Sequence, residues 1–238
     1  MRILLTLLCL LIPLRAAAEP VTIFAAASLR GALSEIARGY GSDVTLSFAG
    51  SGTLARQLAA GAPVDAVVLA HADWLDWLEA RGITQAATRA DVAGGQLVLV
   101  GPAGAPLLDT PNADNLLKAL GKGRLAIGQR DGVPAGSYAR DWLRHIGAWE
   151  ALVPRLAETD NVRAALALVA VGAAPLGVVY ASDAVAEPRV TVRYEVPPET
   201  HTPVRYPAAA VTDAGAAFVT YLQSDAARAI FAAHGFSP

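Results

Sequence analysis

The fold is decided by VTIFAAASL at residues 21–29 and by VTLSFAGSGT at residues 44–53. In each stretch a short apolar run with β-branched residues, typical of a strand, leads into small or hydroxylated residues that begin a segment of helical periodicity. The sequence predicts helices over about 29–40 and 53–60, and a third strand over 66–69. This βαβαβ order implies a parallel sheet covered by helices, and therefore an α/β protein.

A second series of alternating elements follows from residue 96. We predict strands at 96–100, 125–127, 176–180 and 190–194, and helices at 138–145, 162–171, 214–222 and 225–234. Residues that interrupt regular structure cluster in GPAG at 101–104 and in PPETHTP at 197–203. We therefore predict one lobe from residues 19–100 and 204–238, a second lobe from 101–203, and two crossing segments that form a hinge. The ligand site is expected in the cleft between the lobes.

Residues 1–18 have the pattern of an export signal. Arg2 supplies a positive charge, residues 3–14 an apolar run, and Ala16-Ala17-Ala18 a small-residue cleavage site, so Glu19 is expected to begin the mature exported protein. The alternative is a buried first helix, which the strand predicted directly after the segment disfavours. The apolar run is shorter than the roughly 18 residues that span a bilayer, so no transmembrane helix is predicted.

The composition excludes several classes of function. The 238 residues have a net charge of −2 without a basic stripe, which argues against nucleic acid as a partner. The four histidines are scattered and form no metal-binding motif, so no cation site is predicted. With 54% hydrophobic residues and a single cysteine, the fold is expected to depend on its apolar core.

An enzyme reading rests on Ser51, which stands between two glycines. The G-x-S-x-G motif of serine hydrolases would require further glycines at positions 49 and 53, where alanine and threonine stand. An exported serine hydrolase stays an alternative, and it requires a histidine and an acid within reach of Ser51. A catalytic carboxylate pair among Asp65, Asp73 and Asp76 is also open, although capping and solvation around a helix at 72–80 is the favoured role of these residues.

Small or hydroxylated residues begin several of the predicted helices. They follow the first two strands and recur in VPAGS at 133–137 and DNV at 160–162. Helix N-termini present unpaired N–H groups and a positive dipole end, so several of them at one cleft would bind an anion without a cationic side chain. Tyr180, at the end of a predicted strand, offers a hydroxyl donor or a packing tyrosine. The nearby arginines fall within predicted helices and are expected to face solvent or to tune the cleft potential; they are Arg30, Arg56, Arg140 and Arg163.

These motifs in combination resemble the periplasmic molybdate-binding proteins of ABC transporters. The resemblance is carried by FAAASL at 24–29, FAGSGTLARQL at 48–58, GAPVD at 61–65, VPAGSYA at 133–139, NVR at 161–163 and GVVY at 177–180. It extends from the export signal to the last helix. It implies the two-lobed periplasmic-binding-protein fold, in which each lobe is a mixed, mainly parallel sheet flanked by helices.

The resemblance also implies a set of ligand-binding residues. Ser28 and Ser51 would donate hydroxyl and backbone N–H groups to an oxyanion, Ala135 and Val162 would donate backbone N–H groups, and Tyr180 would donate its hydroxyl. One departure is visible, because His71 stands where a serine is expected. This difference is expected to affect the chemistry of the cleft rim and not the class of ligand.

The resulting expectation is a monomeric, non-enzymatic protein without a cofactor. It would bind molybdate or tungstate with high affinity in the periplasm and deliver it to the membrane permease of an ABC importer. The alternative within the same fold is another tetrahedral oxyanion, such as sulfate. An amino acid ligand would require an arginine and an aspartate in the cleft to pair with both of its ends, and the donor loops supply neither.

Overall fold

The computed structural model describes residues 19–237, which form two open five-stranded sheets flanked by helices. The predicted export signal at residues 1–18 lies outside the described residues. The strands are β1 (Val21–Ala26), β2 (Val44–Ala49), β3 (Ala66–Val68), β4 (Ala90–Gly94), β5 (Leu97–Pro102), β6 (Leu125–Gly128), β7 (Leu156–Thr159), β8 (Leu176–Tyr180), β9 (Val190–Glu195) and β10 (Arg205–Ala210). The helices are α1 (Arg30–Gly39), α2 (Ser51–Ala59), α3 (Ala72–Glu79), α4 (Ala113–Leu120), α5 (Pro134–His145), α6 (Trp149–Leu152), α7 (Val162–Ala170), α8 (Ala181–Val185), α9 (Asp213–Leu222) and α10 (Asp225–Ala233).

The first sheet has the strand order β2-β1-β3-β10-β4. Strand β1 pairs in parallel with β2 and β3, which confirms the predicted βαβαβ unit, whereas β10 pairs antiparallel with β3 and β4. We call this sheet, together with α1, α2, α3, α9 and α10, the first lobe.

The second sheet has the order β7-β6-β8-β5-β9 and forms the second lobe with α4 to α8. Strand β6 pairs in parallel with β7 and β8, and β5 pairs antiparallel with β8 and β9. The sheets are mixed, as predicted, but parallel pairings do not predominate in either. The reason is that β10 and β5, each of which enters its sheet from the other lobe, run against their neighbours.

The chain crosses between the lobes twice within the described residues. The first passage is Gly95–Gln96, between β4 and β5, and the second runs over 196–204, between β9 and β10. The second passage contains the predicted PPETHTP segment. The first differs from the expectation, because residues 97–100 belong to the second sheet and GPAG at 101–104 ends β5 instead of joining the lobes.

Strands buried on both faces explain the long apolar runs of the sequence. All residues of β8 are buried, and Ala208, Ala209 and Ala210 in β10 are each 0% exposed. Such strands lie between helix layers and lose the polar-apolar alternation of a half-exposed sheet. At Gly215, α9 approaches β3 so closely that a Cβ would overlap the carbonyl oxygen of Asp65. Among residues 19–237, no helix has the length and apolar character to cross a membrane.

Candidate functional site

A small cavity, with a volume of about 10 Å³ for the centre of a water-sized sphere, lies between the two lobes, where helices begin at the ends of strands. The residues predicted as ligand donors all line it: Ser28, Ser51, Ala135, Val162 and Tyr180. The remainder of its wall consists of alanine, glycine, valine, proline and one asparagine. The structure thus brings together residues that are far apart in the sequence, and none of the lining side chains is charged.

The first lobe contributes two serines. Ser28 lies in a short 3₁₀ turn, Ala27–Leu29, that follows β1, and Ser51 is the first residue of α2. Both are buried, at 2% and 1% exposure. The Ser51 Oγ accepts a hydrogen bond from the backbone N–H of Ala70 at 3.0 Å. Because a hydroxyl has one proton and two lone pairs, this contact leaves the Ser51 proton free to be donated into the cavity.

The second lobe contributes two helix N-termini and a phenol. Ala135 lies in the first turn of α5, which begins at Pro134, a residue well suited to the first helical position. Val162 is the first residue of α7, whose N-cap Asn161 accepts a hydrogen bond from the N–H of Ala164 at 3.0 Å. Tyr180 is the last residue of β8 and is 1% exposed.

The backbone N–H groups of these helix starts form the electrostatic centre of the cavity. The first N–H groups of a helix have no acceptor within the helix, and those of Ser51, Ala135 and Val162 donate to no other described residue. The helix dipoles add a partial positive charge at the same points. Three helix N-termini from both lobes, together with an uncharged lining, therefore provide a site for an anion that is held by dipoles and hydrogen bonds.

Two buried hydroxyls support the same interpretation. Neither the Ser28 Oγ nor the Tyr180 hydroxyl makes a hydrogen bond of good geometry to a described residue, although the Ser28 hydroxyl lies beside that of Tyr206. Burial, reinforced by the neighbouring phenols of Tyr206 and Tyr138, raises the pKa of Tyr180 well above its ordinary value, so the hydroxyl remains a donor. Leaving a buried polar group unpaired costs about 1–3 kcal/mol, which a ligand oxygen accepting from both hydroxyls would offset.

A buried ion pair lies directly behind these donors. Asp183 is 0% exposed, its Oδ1 lies 2.7 Å from the Nε of Arg163, and its Oδ2 accepts the backbone N–H of Tyr180 at 3.3 Å. Burial raises the pKa of Asp183 to about 6, while the charge of Arg163 and the Tyr180 N–H act against this rise. The Nη2 of Arg163 also donates to the carbonyl oxygen of Ser28 in the other lobe at 3.3 Å.

Sequence reasoning missed the roles of these two residues. Arg163 was expected to face solvent or to tune the cleft potential, yet its side chain is 27% exposed and joins the two lobes. Asp183 was not singled out. Its one sequence signal is its position three residues after Tyr180, where an acid reaches back to the N-cap N–H of α8.

The lobes touch around the cavity at glycines. The N–H of Gly52 donates to the carbonyl oxygen of Gly132 at 3.1 Å, across the two lobes. A Cβ at Gly52 would overlap that oxygen and the ring of Trp74, and a Cβ at Gly50 would overlap the carbonyl oxygen of Asp160. Glycine at these two positions therefore allows the close approach of the lobes.

His71 lies beside the cavity and not in its lining. It is the N-cap of α3, where its Nδ1 accepts the N–H of Asp73 at 3.2 Å. Its ring stacks on Tyr138 of the second lobe with centroids 4.8 Å apart. Desolvation lowers the pKa of His71, against the raising effect of Asp73, Asp141 and Asp76, which favours the neutral form that can accept this hydrogen bond.

The groups required for hydrolysis do not assemble at Ser51. Its described partner is the N–H of Ala70, and no histidine among residues 19–237 hydrogen-bonds to its hydroxyl. The candidate carboxylates have structural partners: Asp65 accepts from the Thr22 N–H and the Thr212 hydroxyl, and Asp76 pairs with Arg89. In the described part of the chain, no group of three His, Cys, Asp or Glu residues is placed to hold a metal ion.

Comparison with known proteins gives concordant matches. A family model described as bacterial extracellular solute-binding protein matches residues 21–237. The molybdate-binding protein ModA of Escherichia coli strain K12 is 42% identical over 227 residues, covering 91% of this chain and 88% of that protein. The ModA of Haemophilus influenzae is 38% identical, covering 93% and 91%. The solved structure of the periplasmic molybdate-binding protein of Azotobacter vinelandii has a TM-score of 0.79 at 24% identity, covering 92% of this chain and 99% of that one, and shares the fold.

Proposed function

The chain belongs to the bacterial extracellular solute-binding protein family, and we infer from its relatives that it binds molybdate for an ABC transporter. The observation that carries this function is the uncharged cavity between the lobes, on which helix N-termini and two unpartnered buried hydroxyls converge. A dianion is the ligand that such a donor set stabilises. Membership of the family also implies a periplasmic location and delivery of the ligand to a membrane permease.

We propose specific roles for the lining residues. Ser28, Ser51 and Tyr180 donate hydroxyl protons, and Ala135 and Val162 donate backbone N–H groups, as do the two serines. A buried oxyanion is costly unless each oxygen is hydrogen-bonded, and bonds to a charged acceptor are stronger than neutral ones. Because the donors come from both lobes, the complete shell forms only when the lobes close on the ligand.

The same donor set accounts for selection against phosphate. At neutral pH phosphate carries at least one proton, which needs an acceptor in a dry site. The buried carboxylate of Asp183 is already engaged by Arg163 and by the Tyr180 N–H. Molybdate, tungstate and sulfate have no proton at this pH, so size distinguishes them: a shell spaced for longer metal–oxygen bonds leaves sulfate with stretched contacts.

We also make proposals about tungstate binding, oligomeric state, cofactor use and processing of the export signal. Tungstate should bind like molybdate because the two anions have nearly equal sizes. We further propose that the protein acts as a monomer, uses no cofactor and is not an enzyme, and that the export signal is cleaved after Ala18. The relatives are binding proteins, and the hydrogen-bond partner of the Ser51 hydroxyl among residues 19–237 is the backbone N–H of Ala70, not a side-chain base.

Calorimetric titration at pH 7.5 with sodium molybdate, tungstate, sulfate, phosphate and an amino acid tests this function. We expect one molybdate per chain, equal affinity for tungstate and no displacement of molybdate by phosphate. Sulfate should bind at least about a hundredfold more weakly, because several hydrogen bonds lose good geometry.

Ser28→Ala should weaken molybdate binding, and Ser42→Ala, in an exposed loop, is the matched control. Displacement by phosphate at comparable concentration would exclude a donor-only shell, and equal binding of sulfate would reassign the protein to sulfate.

A further inference from the structure

Among the described tyrosines of the second lobe, Tyr138 is the one whose hydroxyl donates a hydrogen bond to the first lobe. It lies on α5 and is 1% exposed, and its hydroxyl donates to the carbonyl oxygen of Ala70 at 3.1 Å. Burial raises the pKa of Tyr138 well above the ordinary value, with the backbone N–H of Arg205 acting in the opposite direction, so the phenol keeps its proton. Tyr138 does not line the anion cavity, whereas Ala70 does.

Ala70 is held at both of its backbone groups. Its carbonyl accepts from Tyr138, and its N–H donates to the Oγ of Ser51 at 3.0 Å. The N–H occupies one acceptor position of the serine oxygen. The serine proton therefore points away from Ala70. Because Ser51 lines the cavity together with the other proposed donors, the proton can be donated into the cavity.

The ring of Tyr138 is fixed by aromatic neighbours from three parts of the fold. It stacks on His71 of the first lobe, and it makes edge contacts with His201 in the second passage and with Tyr180. The centroid distances are 4.8 Å, 5.7 Å and 6.3 Å. The position of the hydroxyl is thus set by packing, independently of the hydrogen bond that it makes.

We propose that Tyr138 is a positioning residue for anion binding, which acts by fixing Ala70 so that the Ser51 hydroxyl points its proton at the ligand. This inference rests on the proposed function. Without the phenolic hydroxyl, the carbonyl of Ala70 has to find another partner, and the N–H that orients Ser51 is less firmly held. Ser51 then samples other rotamers and loses part of its bond to the anion.

A double-mutant cycle with Tyr138→Phe and Ser51→Ala tests the proposal, with molybdate affinity measured by calorimetry. Phenylalanine keeps the packed ring, so we expect Tyr138→Phe to weaken molybdate binding about fivefold. In the Ser51→Ala background the same change should weaken molybdate binding less than about twofold, because the Ser51 hydroxyl that Tyr138 helps to orient is absent. Tyr194→Phe, which alters a half-buried tyrosine on β9 stacked against Trp142, is the matched control and should bind like the parent.

The outcomes separate this inference from the function on which it rests. If the parent protein does not bind molybdate, the proposed function fails. If the parent binds and Tyr138→Phe binds equally well, or is weakened by the same factor with and without Ser51, then Tyr138 has only a structural role. Melting curves report that role separately. Amide hydrogen exchange of the parent gives a measurement without any variant: Ala70 should be strongly protected in the molybdate complex, and rapid exchange would overturn the proposal.

Discussion

Replacing Tyr180 with phenylalanine should change folding stability and anion affinity in opposite directions. The side chain is 1% exposed and its hydroxyl has no partner among the described residues. Removing an unpaired buried hydroxyl relieves a desolvation cost of about 1–3 kcal/mol. We expect the free energy of unfolding of the ligand-free protein to rise by less than about 1 kcal/mol, because opening of the lobes lets water reach the phenol.

The same substitution removes a hydrogen bond to a charged acceptor from the complex. Such a bond contributes about 1.5–3 kcal/mol, so molybdate should bind roughly 10- to 100-fold more weakly. Urea unfolding without molybdate measures the first effect, and calorimetric titration measures the second. Tyr194→Phe, away from the cavity, should change neither. A Tyr180→Phe protein that loses stability, or that binds molybdate like the parent, would refute the reasoning that this phenol is a ligand donor.

Three further substitutions test other parts of the site. Ser28→Ala should weaken molybdate binding by about 1.5–3 kcal/mol in calorimetry without lowering the melting temperature, because the Ser28 Oγ has no described protein partner. Gly52→Ala places a Cβ against Gly132 and Trp74, so small-angle scattering of the variant with molybdate should show a larger radius of gyration than the closed parent. Burial raises the pKa of Asp183 from 3.8 to about 6, so the folded protein binds a proton more tightly than the unfolded chain. This contribution to folding stability is present at low pH and is lost as pH rises through 6. Urea unfolding should therefore show that, between pH 7 and pH 5, the free energy of unfolding of the parent rises by about 1 kcal/mol more than that of Asp183→Asn.

The elements with strong local signals were predictable. Periodicity and β-branched runs located β1, β2 and β8, and the DNV segment at 160–162 located the start of α7. Strand β10 has the sequence RYPAAA, in which proline and alanines are poor strand formers. It forms because the sheet positions next to β3 and β4 bury this small apolar segment, an effect of tertiary packing that no local pattern records.

The lining of the cavity was predictable where a residue lies at its own helix start, whereas the donor roles were implied by the family resemblance and remain proposals. Ser28, Ser51, Ala135 and Val162 lie where small residues follow strands, and the parallel topology brings such points together at one edge of each sheet. The supporting contacts were not predictable, because they join residues far apart in sequence. Arg163 meets Ser28 across the lobes, and Tyr138 meets Ala70. Neither pairing has a spacing rule, since each depends on how the lobes approach.

The absence of a cation from the lining has a consequence for how the protein responds to its ligand. A lysine or arginine in the wall would attract anions to one lobe alone, and binding would then depend little on closure. Here the proposed donors are divided between the lobes, and closing without an anion would leave the buried hydroxyls of Ser28 and Tyr180 unpaired. At about 1–3 kcal/mol for each group, this cost opposes closure by a factor of roughly 30 to 10⁴. An anion that satisfies both hydroxyls removes the cost, so the same hydrogen bonds that hold the ligand shift the population to the closed form.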